Sequence, residues 1–416
     1  HVDGDAFFAS CEQAMHPEYK GRPVVTGAER GIVSAASYEA KAKGVSRGVP
    51  LNAVKKLCPD AIIVESDYET YTLFSKRMMS IVRRFTSDVE EYSIDECFAD
   101  ITGLQRPLNA SYETIAQKIK DAIEKEVGIS VSVGLASTKS LAKIASAFNK
   151  PSGLTVVENS DIAAFLKQVP IENVWGVGHQ TAAHMNKLGI KTAYGLAKKT
   201  KDYVESHFTK PYLEIWEELN GVKIFDVDTT EKTNYISISK TKTFVPASND
   251  KEFVYAQLIR NLENACIKAR KYKLNARRLI VILRTQGYKT NGLEIKLEKG
   301  SAYPHELAQI ARRLFDRMFN ENTLYRATGV VLEDLTDGTT LQHSLFEEPQ
   351  KTASISRLYG AIDLLMQKFG KRAIHSLASA PASLRSSPST AVSSNLLGGR
   401  PFTLNHRSIR MMPPST

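Results

Sequence analysis

The 416-residue sequence contains few cysteines and no long apolar run. Its four cysteines lie far apart, and no two of them form a Cys-x-x-Cys pair. This pattern argues against a disulfide framework or a structural zinc site and indicates a reducing, cytoplasmic compartment. No stretch approaches the roughly 18–20 continuous apolar residues that a membrane-spanning helix needs. The sequence is therefore expected to form folded domains that do not depend on disulfides.

Basic residues are in excess, and the excess is unevenly placed. The sequence has 55 Lys and Arg against 45 Asp and Glu, a formal net charge of +10. Residues 1–104 carry 12 basic and 16 acidic residues, residues 233–346 carry 18 and 11, and residues 347–416 carry 9 and 3. This asymmetry indicates a nucleic-acid-binding segment and a separate segment rich in carboxylates. A solvated Lys-rich surface is the alternative that charge counts leave open.

The N-terminal part alternates short strands and helices. Hydrophobic periodicity predicts strands at 2–8, 23–25, 31–34, 89–92, 97–100 and 129–135. It predicts helices that begin near residue 9 and that cover 71–85, 111–126 and 139–148. This order fits a split βαβ sheet layered with helices, and it predicts an α+β fold.

The remainder of the chain divides at a polar linker, predicted at 220–234. Residues 168–230 are predicted to be mostly helical. Residues 234–340 form a second mixed unit with helices at 254–272 and 305–319 between strands. A further amphipathic helix is expected at 354–369. From residue 376 onward the chain is rich in Ser, Pro and Gly and is expected to be disordered.

Four carboxylates fall at places where two strands could bring them together. Asp3 and Asp5 lie at the first strand, and Asp95 and Glu96 lie at the corner of a predicted hairpin. Adjacent acids on a strand point to opposite faces, so Asp95 and Glu96 converge only if the corner turns the backbone. Magnesium prefers oxygen ligands, and two ions about 3.5–4 Å apart support in-line phosphoryl transfer. Exposed acids at strand ends are the alternative that this spacing leaves open.

Two segments resemble the Y family of translesion DNA polymerases. Residues 2–12 (VDGDAFFASCE) resemble the first carboxylate motif of the family, and residues 92–100 (YSIDECFAD) resemble its second motif. Both occur in the expected order, and the resemblance continues to about residue 346 and more weakly to about 372. It implies a right-hand polymerase with a ferredoxin-like palm (1–16 and 76–165), fingers (17–75), a thumb (166–232) and a little finger (233–346). A C-terminal helical segment (347–375) and a tail (376–416) complete the predicted domains.

The resemblance implies the reaction as well as the fold. Such an enzyme adds deoxynucleotides to a primer 3′-OH in DNA damage bypass, using two Mg²⁺ ions. Asp3 and Asp95 would bind both ions, Glu96 would bind the catalytic ion, and the Gly4 carbonyl would add a ligand to the nucleotide-bound ion. Small residues at Ala6, Ala35 and Ala36 suggest an open pocket and low fidelity.

Five residues are implied to bind the incoming nucleotide. Phe8 matches the family's steric gate, a ring that leaves no room for a ribose 2′-OH, and Phe7 precedes it. Tyr38 and Lys41, within residues 34–41 (SAASYEAK), match the fingers segment that holds the triphosphate. Lys150, within residues 148–153 (FNKPSG), matches a palm lysine that reaches the same phosphates. Lys41 stands where Arg is common in the family, and Lys offers a point charge rather than a bidentate fork.

Contacts to DNA are expected at two places. Residues 174–179 (VWGVGH), together with Leu-Gly-Ile at 188–190, indicate a helix–hairpin–helix. In such a motif, backbone N–H groups at Gly176 and Gly178 would bind a DNA phosphate. In the predicted little finger, Lys240, Lys242 and Arg284 fall on strands where alternation would line one face. They are the predicted phosphate contacts.

A short peptide after this unit resembles a clamp-binding motif. Gln342, Leu345 and Phe346 match the Gln-x-x-Leu-Phe pattern with which bacterial polymerases dock onto the sliding clamp. The alternative is a last strand that packs Leu345 and Phe346 on the domain core. The family also leaves open a need for accessory subunits.

Two other functions compete with a polymerase. One is a catalytically dependent or inactive DNA- and clamp-binding scaffold of the same fold, and the intact carboxylates argue against it. The other is a palm-fold nucleotidyl cyclase, which shares the carboxylate chemistry. A helix–hairpin–helix and a basic C-terminal domain argue against the cyclase, because it needs no DNA.

Overall fold

A computed structural model of the chain describes residues 1–230, 235–338, 349–369 and 374–384. The chain forms two compact units, His1–Tyr235 and a second unit that begins at Ile236. The first unit has eight strands among its described residues: β1 Val2–Gly4, β2 Val24–Thr26, β3 Ala35–Ala36, β4 Ile62–Val64, β5 Val89–Glu91, β6 Glu96–Ala99, β7 Val131–Leu135 and β8 Leu154–Val156.

The α-helices of the first unit are α1 Phe7–Met15, α2 Tyr38–Ala42, α3 Leu51–Leu57, α4 Tyr68–Val82, α5 Tyr112–Val127, α6 Lys139–Phe148, α7 Ile162–Lys167, α8 His179–Lys187, α9 Ala193–Ala197, α10 Lys201–His207 and α11 Lys210–Leu219. The second unit contains β9 Ser237–Ser248, α12 Lys251–Lys271, β10 Leu274–Thr285, β11 Thr290–Ser301, α13 Pro304–Met318, β12 Tyr325–Asp337, α14 Pro349–Phe369 and α15 Ala380–Leu384. The predicted α+β class is confirmed.

A five-stranded sheet organises the first unit. Its strand order is β5-β6-β1-β7-β8, so the short strand β1 lies at the centre, antiparallel to both neighbours. The long helices α4 and α5 pack together beside this sheet, and their apolar side chains form one core with those of β1 and β7. Burial of Met78, Ile115 and Ile119 in this core stabilises the sheet by the transfer of apolar surface out of water, about 1.5–3 kcal/mol for each side chain.

The helix α6 lies very close to strand β7. A Cβ atom on Gly134 would come within 2.0 Å of the Ala142 carbonyl oxygen and 2.3 Å of the Ser146 nitrogen. Only glycine permits this approach of a helix to a strand backbone. The contact holds the lysines of α6 beside the carboxylates described below.

A small second sheet precedes α4 in the chain. Strand β2 pairs with β3 in antiparallel fashion and with β4 in parallel fashion. Val25, Val54 and Cys58 belong to a separate small core beneath this sheet. The predicted strand at 31–34 lies slightly too early in the sequence, because the residues that pair with β2 are Ala35 and Ala36.

The first predicted strand is too long. We expected a strand over residues 2–8, but β1 ends at Gly4 and α1 begins at Phe7. The chain turns through Ala6, whose backbone is left-handed with φ 47°. Val2 and the two phenylalanines have high strand propensity, and tertiary packing of Phe7 into the core overrides that preference. Phe7 and Phe8 therefore lie on a helix.

The second unit is a four-stranded antiparallel sheet with the order β11-β10-β12-β9. The helices α12 and α13 pack against this sheet, with Leu279, Val330 and Leu332 fully buried. Side chains on the other face of the sheet, such as Arg284, are exposed. Within the ranges described, no helix is long and apolar enough to cross a membrane.

Candidate active site

Asp3 and Glu96 face one another across two neighbouring strands. In the antiparallel pair of β1 and β6, Asp3 is the direct partner of Glu96. Directly opposite residues project from the same face of a sheet, with Cβ atoms about 4.5–5.5 Å apart. Both side chains are partly buried. The fold thus brings together two carboxylates that are 93 positions apart in the sequence.

Asp95 occupies the corner before β6 and is held by three hydrogen bonds. Its main-chain oxygen accepts from the Gly4 nitrogen at 2.8 Å. Its carboxylate accepts from the Ser93 hydroxyl at 2.5 Å, and its main-chain nitrogen donates to that hydroxyl at 3.3 Å. The corner backbone is therefore attached directly to β1, next to Asp3.

Two lysines lie against these carboxylates. The Lys143 ammonium donates to Glu96 Oε2 at 2.7 Å, and the Lys150 ammonium donates to Asp3 Oδ1. Among the described residues, no three His, Cys, Asp or Glu side chains form a ready-made metal cluster. The donor set nevertheless suits magnesium chemically, because carboxylate and carbonyl oxygens are hard ligands.

The Asp5 carboxylate is buried and accepts hydrogen bonds from neighbouring protein groups. Its side chain is fully buried and accepts hydrogen bonds from the Ser132 hydroxyl (2.9 Å) and the Ser152 nitrogen (2.7 Å). Its Oδ1 lies 3.8 Å from the Lys150 ammonium. Asp5 therefore fixes the loop that carries Lys150. Because its side chain is fully buried, Asp5 is not one of the exposed acids at strand ends that the sequence left open as an alternative.

Tyr38 and Lys41 lie on the short helix α2, which Ser37 caps through a hydrogen bond from the Ala40 nitrogen. The Lys41 ammonium lies 4.1 Å from the centre of the Tyr38 ring. Burial, together with the negative charges of Asp5 and Asp3, raises the pKa of Tyr38 to about 12. Burial and the neighbouring Lys150 charge lower the pKa of Lys41. Tyr38 therefore remains a hydroxyl donor throughout the physiological range of pH.

The two adjacent phenylalanines have different surroundings. Phe7 is 3% exposed and belongs to the hydrophobic core, so any contact with a nucleotide would be through its backbone. Phe8, the next residue of α1, is partly exposed and packs at the edge of the same core. Its ring stacks on Tyr71 with 4.7 Å between centroids.

Lys139 and Lys143 show what motif reading missed. Lys139 donates to Glu90 at 2.5 Å and to the Asp226 carbonyl at 3.1 Å, and its side chain is 11% exposed. It therefore ties α6 to strand β5 and to the segment after α11. The sequence does contain a signal, because the two lysines are four apart on a predicted helix and must share a face.

The turn at Gly176 and Gly178 leads into α8. Gly176 has φ 85°, and a Cβ there would lie 2.7 Å from Ile215 Cδ1. Gly178 is the residue before α8, and a Cβ there would meet open space. The first N–H groups of α8 thus begin at an exposed glycine with no side-chain cap in the described structure.

The strand register separates the three basic residues of the second unit. Lys240 and Lys242 pair with Val330 and Thr328, which are buried beneath α12. Arg284 pairs with Ala327 one position away, so its side chain projects from the opposite, open face. The expectation that all three line one face is wrong, because an odd register offset between strands cannot be read from each strand alone.

The predicted clamp peptide, with Gln342, Leu345 and Phe346, lies outside the described residues.

Comparison with protein families gives two matches. Residues 2–147 match the model of the impB/mucB/samB family, and residues 236–345 match the model of that family's C-terminal domain. The DNA polymerase IV of Moorella thermoacetica is 32% identical over 381 residues, which cover 90% of this chain and 94% of that protein. The DNA polymerase IV of Dehalococcoides mccartyi is 32% identical over 376 residues, covering 89% and 94% of the two chains.

Solved structures similar to this chain are also DNA polymerases. A Y-family DNA polymerase chimera of Dbh and Dpo4 aligns with a TM-score of 0.67 and 26% identity, over 80% of this chain and 98% of that chain. An insertion ternary complex of Dbh DNA polymerase aligns with a TM-score of 0.52 and 26% identity, over 80% and 97% of the two chains. These similarities cover both the carboxylate-bearing unit and the unit with the four-stranded antiparallel sheet.

Proposed function

Because the chain belongs to the Y family of translesion DNA polymerases, we propose that Asp3, Asp95 and Glu96 are its catalytic carboxylates. The chain is a DNA-directed DNA polymerase that acts in damage bypass. The observation that supports the residue assignment is the direct pairing of Asp3 on β1 with Glu96 on β6, together with the hydrogen bond from the Gly4 nitrogen of β1 to the main-chain oxygen of Asp95. The scaffold and cyclase alternatives lose their support, because relatives of nearly the same length are DNA polymerases.

Magnesium is the proposed metal, bound by Asp3, Asp95, Glu96 and the Gly4 carbonyl. When bound, such ions stabilise the charges on the attacking and leaving oxygens of an in-line phosphoryl transfer. Lys143 contacts Glu96 through one carboxylate oxygen, Oε2. We infer that Lys143 orients this carboxylate and limits its repulsion of Asp3.

Three residues are proposed to bind the triphosphate. Tyr38 supplies a hydroxyl donor, and Lys41 and Lys150 supply positive charge. An ammonium group has three donor hydrogens, so Lys150 can bond Asp3 and a phosphate oxygen at the same time. Its loop is fixed by Asp5, which keeps the ammonium between the carboxylates and the nucleotide.

The direct test of this function is primer extension by the purified chain with Mg²⁺, on undamaged templates and on templates with one abasic site. We expect extension of the undamaged primer and insertion opposite the abasic site, and we expect chelation of the metal to stop both. Failure to extend the undamaged primer would refute the polymerase assignment. Extension that always halts before the abasic site would refute the bypass assignment.

We also propose the DNA contacts. The exposed N-terminus of α8, with Gly176 and Gly178, would bind a backbone phosphate without reading sequence. In the second unit, Arg284 on the open face of the sheet is the favoured contact. Lys240 and Lys242 would reach DNA only along the edge strand β9.

Substitution of Arg284 should change the salt dependence of DNA binding. Each neutralised phosphate contributes about 0.9 to the slope of log K against log salt. We expect Arg284→Ala to reduce this slope by about 1 in a titration by fluorescence anisotropy. Arg278→Ala is the matched control, since Arg278 lies on the same strand and face but pairs with Glu294 and Asp334. Equal losses for the two variants would exclude a specific phosphate contact at Arg284.

Binding of a sliding clamp and of accessory subunits remains a prediction from the sequence. A sliding clamp would bind Gln342, Leu345 and Phe346, and loss of clamp binding in L345A would be the measurement that tests this. Accessory subunits of the polymerase V type would be revealed by stimulation of extension on addition of such subunits. A cytoplasmic, nucleoid-associated location follows only from the proposed activity.

A further inference from the structure

The ring of Phe8 has an aromatic support on helix α4. The Phe8 ring stacks on Tyr71, with 4.7 Å between centroids and 14° between planes. It also meets the edge of Tyr68 at 5.3 Å and 77°. Tyr68 and Tyr71 are three residues apart on α4, so they present neighbouring rings on one side of that helix. One side of the Phe8 ring is thus covered by Tyr68 and Tyr71.

Tyr71 is held both by packing and by a hydrogen bond of its hydroxyl. It is fully buried, and its hydroxyl donates to Glu12 Oε1 at 2.6 Å. Glu12 is 5% exposed and lies on α1, one helical turn after Phe8. Burial and this hydrogen bond to Glu12 raise the pKa of the Tyr71 phenol, which therefore stays a donor. Tyr71 consequently contacts α1 twice, through its ring at Phe8 and through its hydroxyl at Glu12.

Tyr68 is a weaker support. It is 39% exposed, and its hydroxyl accepts a hydrogen bond at 2.7 Å from Arg30, which is itself exposed. Long exposed side chains move on fast timescales, and their contacts contribute little rigidity. The rigid part of the support is therefore Tyr71.

We propose that Tyr71 is a positioning residue for sugar selection, which holds the Phe8 ring so that it cannot retreat from a ribose 2′-hydroxyl. The inference rests on the proposed function and on the family resemblance, which implies that the Phe8 ring faces the sugar of the incoming nucleotide. A ring excludes an added hydroxyl only if the groups behind it do not yield, and close-packed protein interiors resist such displacement. Tyr71 supplies this resistance because it is buried and hydrogen-bonded to the helix that carries Phe8.

The test is the ratio of kcat/KM for a ribonucleotide to kcat/KM for the matching deoxynucleotide. We expect Tyr71→Leu to raise this ratio by about threefold to tenfold, the range that corresponds to the loss of one aromatic pair. Tyr71→Phe keeps the ring and removes only the hydroxyl. We expect this variant to keep the ratio within about twofold of wild type, with a lower midpoint of thermal unfolding because Glu12 loses its donor.

The matched control is Phe74→Leu. Phe74 is buried on the same helix, whereas the ring pairs that the described structure gives for Phe8 are with Phe7, Tyr68 and Tyr71. A general loss of packing on α4 would lower both efficiencies and leave the ratio unchanged, as expected for Phe74→Leu. If Tyr71→Leu does not fold, Tyr71→Met supplies an unbranched side chain that adapts to irregular gaps but has no flat ring, and it should raise the ratio equally.

The outcomes separate this inference from its premise. If Phe8→Ala raises the ratio while Tyr71→Leu and Tyr71→Met leave it unchanged, the positioning role is refuted and the gate assignment stands. If Phe8→Ala itself leaves the ratio unchanged, both are refuted. A rise in Tyr71→Leu that Phe74→Leu matches would also refute a specific role for Tyr71.

Discussion

Replacement of either hairpin-corner carboxylate by alanine should nearly abolish primer extension. A metal that stabilises charge in phosphoryl transfer contributes several kcal/mol, and each 1.36 kcal/mol corresponds to a factor of ten in rate. We therefore expect Asp95→Ala and Glu96→Ala to reduce kcat/KM by about a thousandfold or more. Glu96→Ala also leaves Lys143 without its carboxylate partner, which adds an unpaired, partly buried charge next to the site. Single-nucleotide incorporation with Mg²⁺ measures the effect.

Amide substitutions of the two carboxylates should differ in which kinetic constant they change. Glu96→Gln should lower kcat with little change in KM for the nucleotide, because Glu96 is proposed to bind only the catalytic ion. Asp95→Asn should change both constants, since Asp95 is proposed to bind both ions. Glu91→Gln is the matched control, because Glu91 is an exposed acid of the same hairpin that pairs with Arg83. Near-wild-type extension by the Asp95 and Glu96 variants would overturn the assignment of the catalytic site.

Removal of the Phe8 ring should relax the choice of sugar. Forcing extra atoms into a packed site costs about 1–3 kcal/mol, and that cost is what the gate imposes on a ribonucleotide. We expect Phe8→Ala to raise the ribonucleotide to deoxynucleotide ratio of kcat/KM by about tenfold to a hundredfold. Incorporation of the two nucleotides opposite the same template base, measured separately, gives this ratio.

The deoxynucleotide rate provides the internal control for that experiment. Phe8 is partly exposed and packs at the edge of the core, so we expect the variant to remain folded and active with deoxynucleotides. Phe74→Leu, a buried substitution elsewhere on the neighbouring helix α4, should not alter the ratio. Unchanged sugar selectivity in Phe8→Ala would show that another group excludes the 2′-hydroxyl.

The predicted carboxylates could be found from sequence because they lie in short motifs. Asp3, Asp95 and Glu96 stand in the two segments that resemble the carboxylate motifs of the family, whereas their spacing alone left exposed acids at strand ends as an alternative. Helix positions were also accessible, as α6 begins and ends at the predicted residues 139 and 148. Local patterns are informative where neighbouring residues in the chain also interact in the fold.

The partners of the motif residues were not accessible in this way. Lys150 lies 147 positions from Asp3, and Tyr71 lies 59 positions from Glu12. An ion pair or hydrogen bond between distant segments leaves no periodic signal in either segment. The helical placement of Phe7 and Phe8 was missed for a related reason, because burial of Phe7 in the core outweighs local strand preference.

By itself, the sequence determined the chemistry of this protein: an acidic N-terminal segment with carboxylates in two motifs, and a basic second unit suited to DNA. The absence of Cys-x-x-Cys pairs argued against a disulfide framework or a structural zinc site, and no apolar run was long enough for a membrane-spanning helix. Only the tertiary structure decided which cation neutralises which carboxylate, which face of the sheet carries Arg284, and what supports Phe8. The physical reason is that residue types set which interactions are possible, whereas strand register and helix packing set which groups meet.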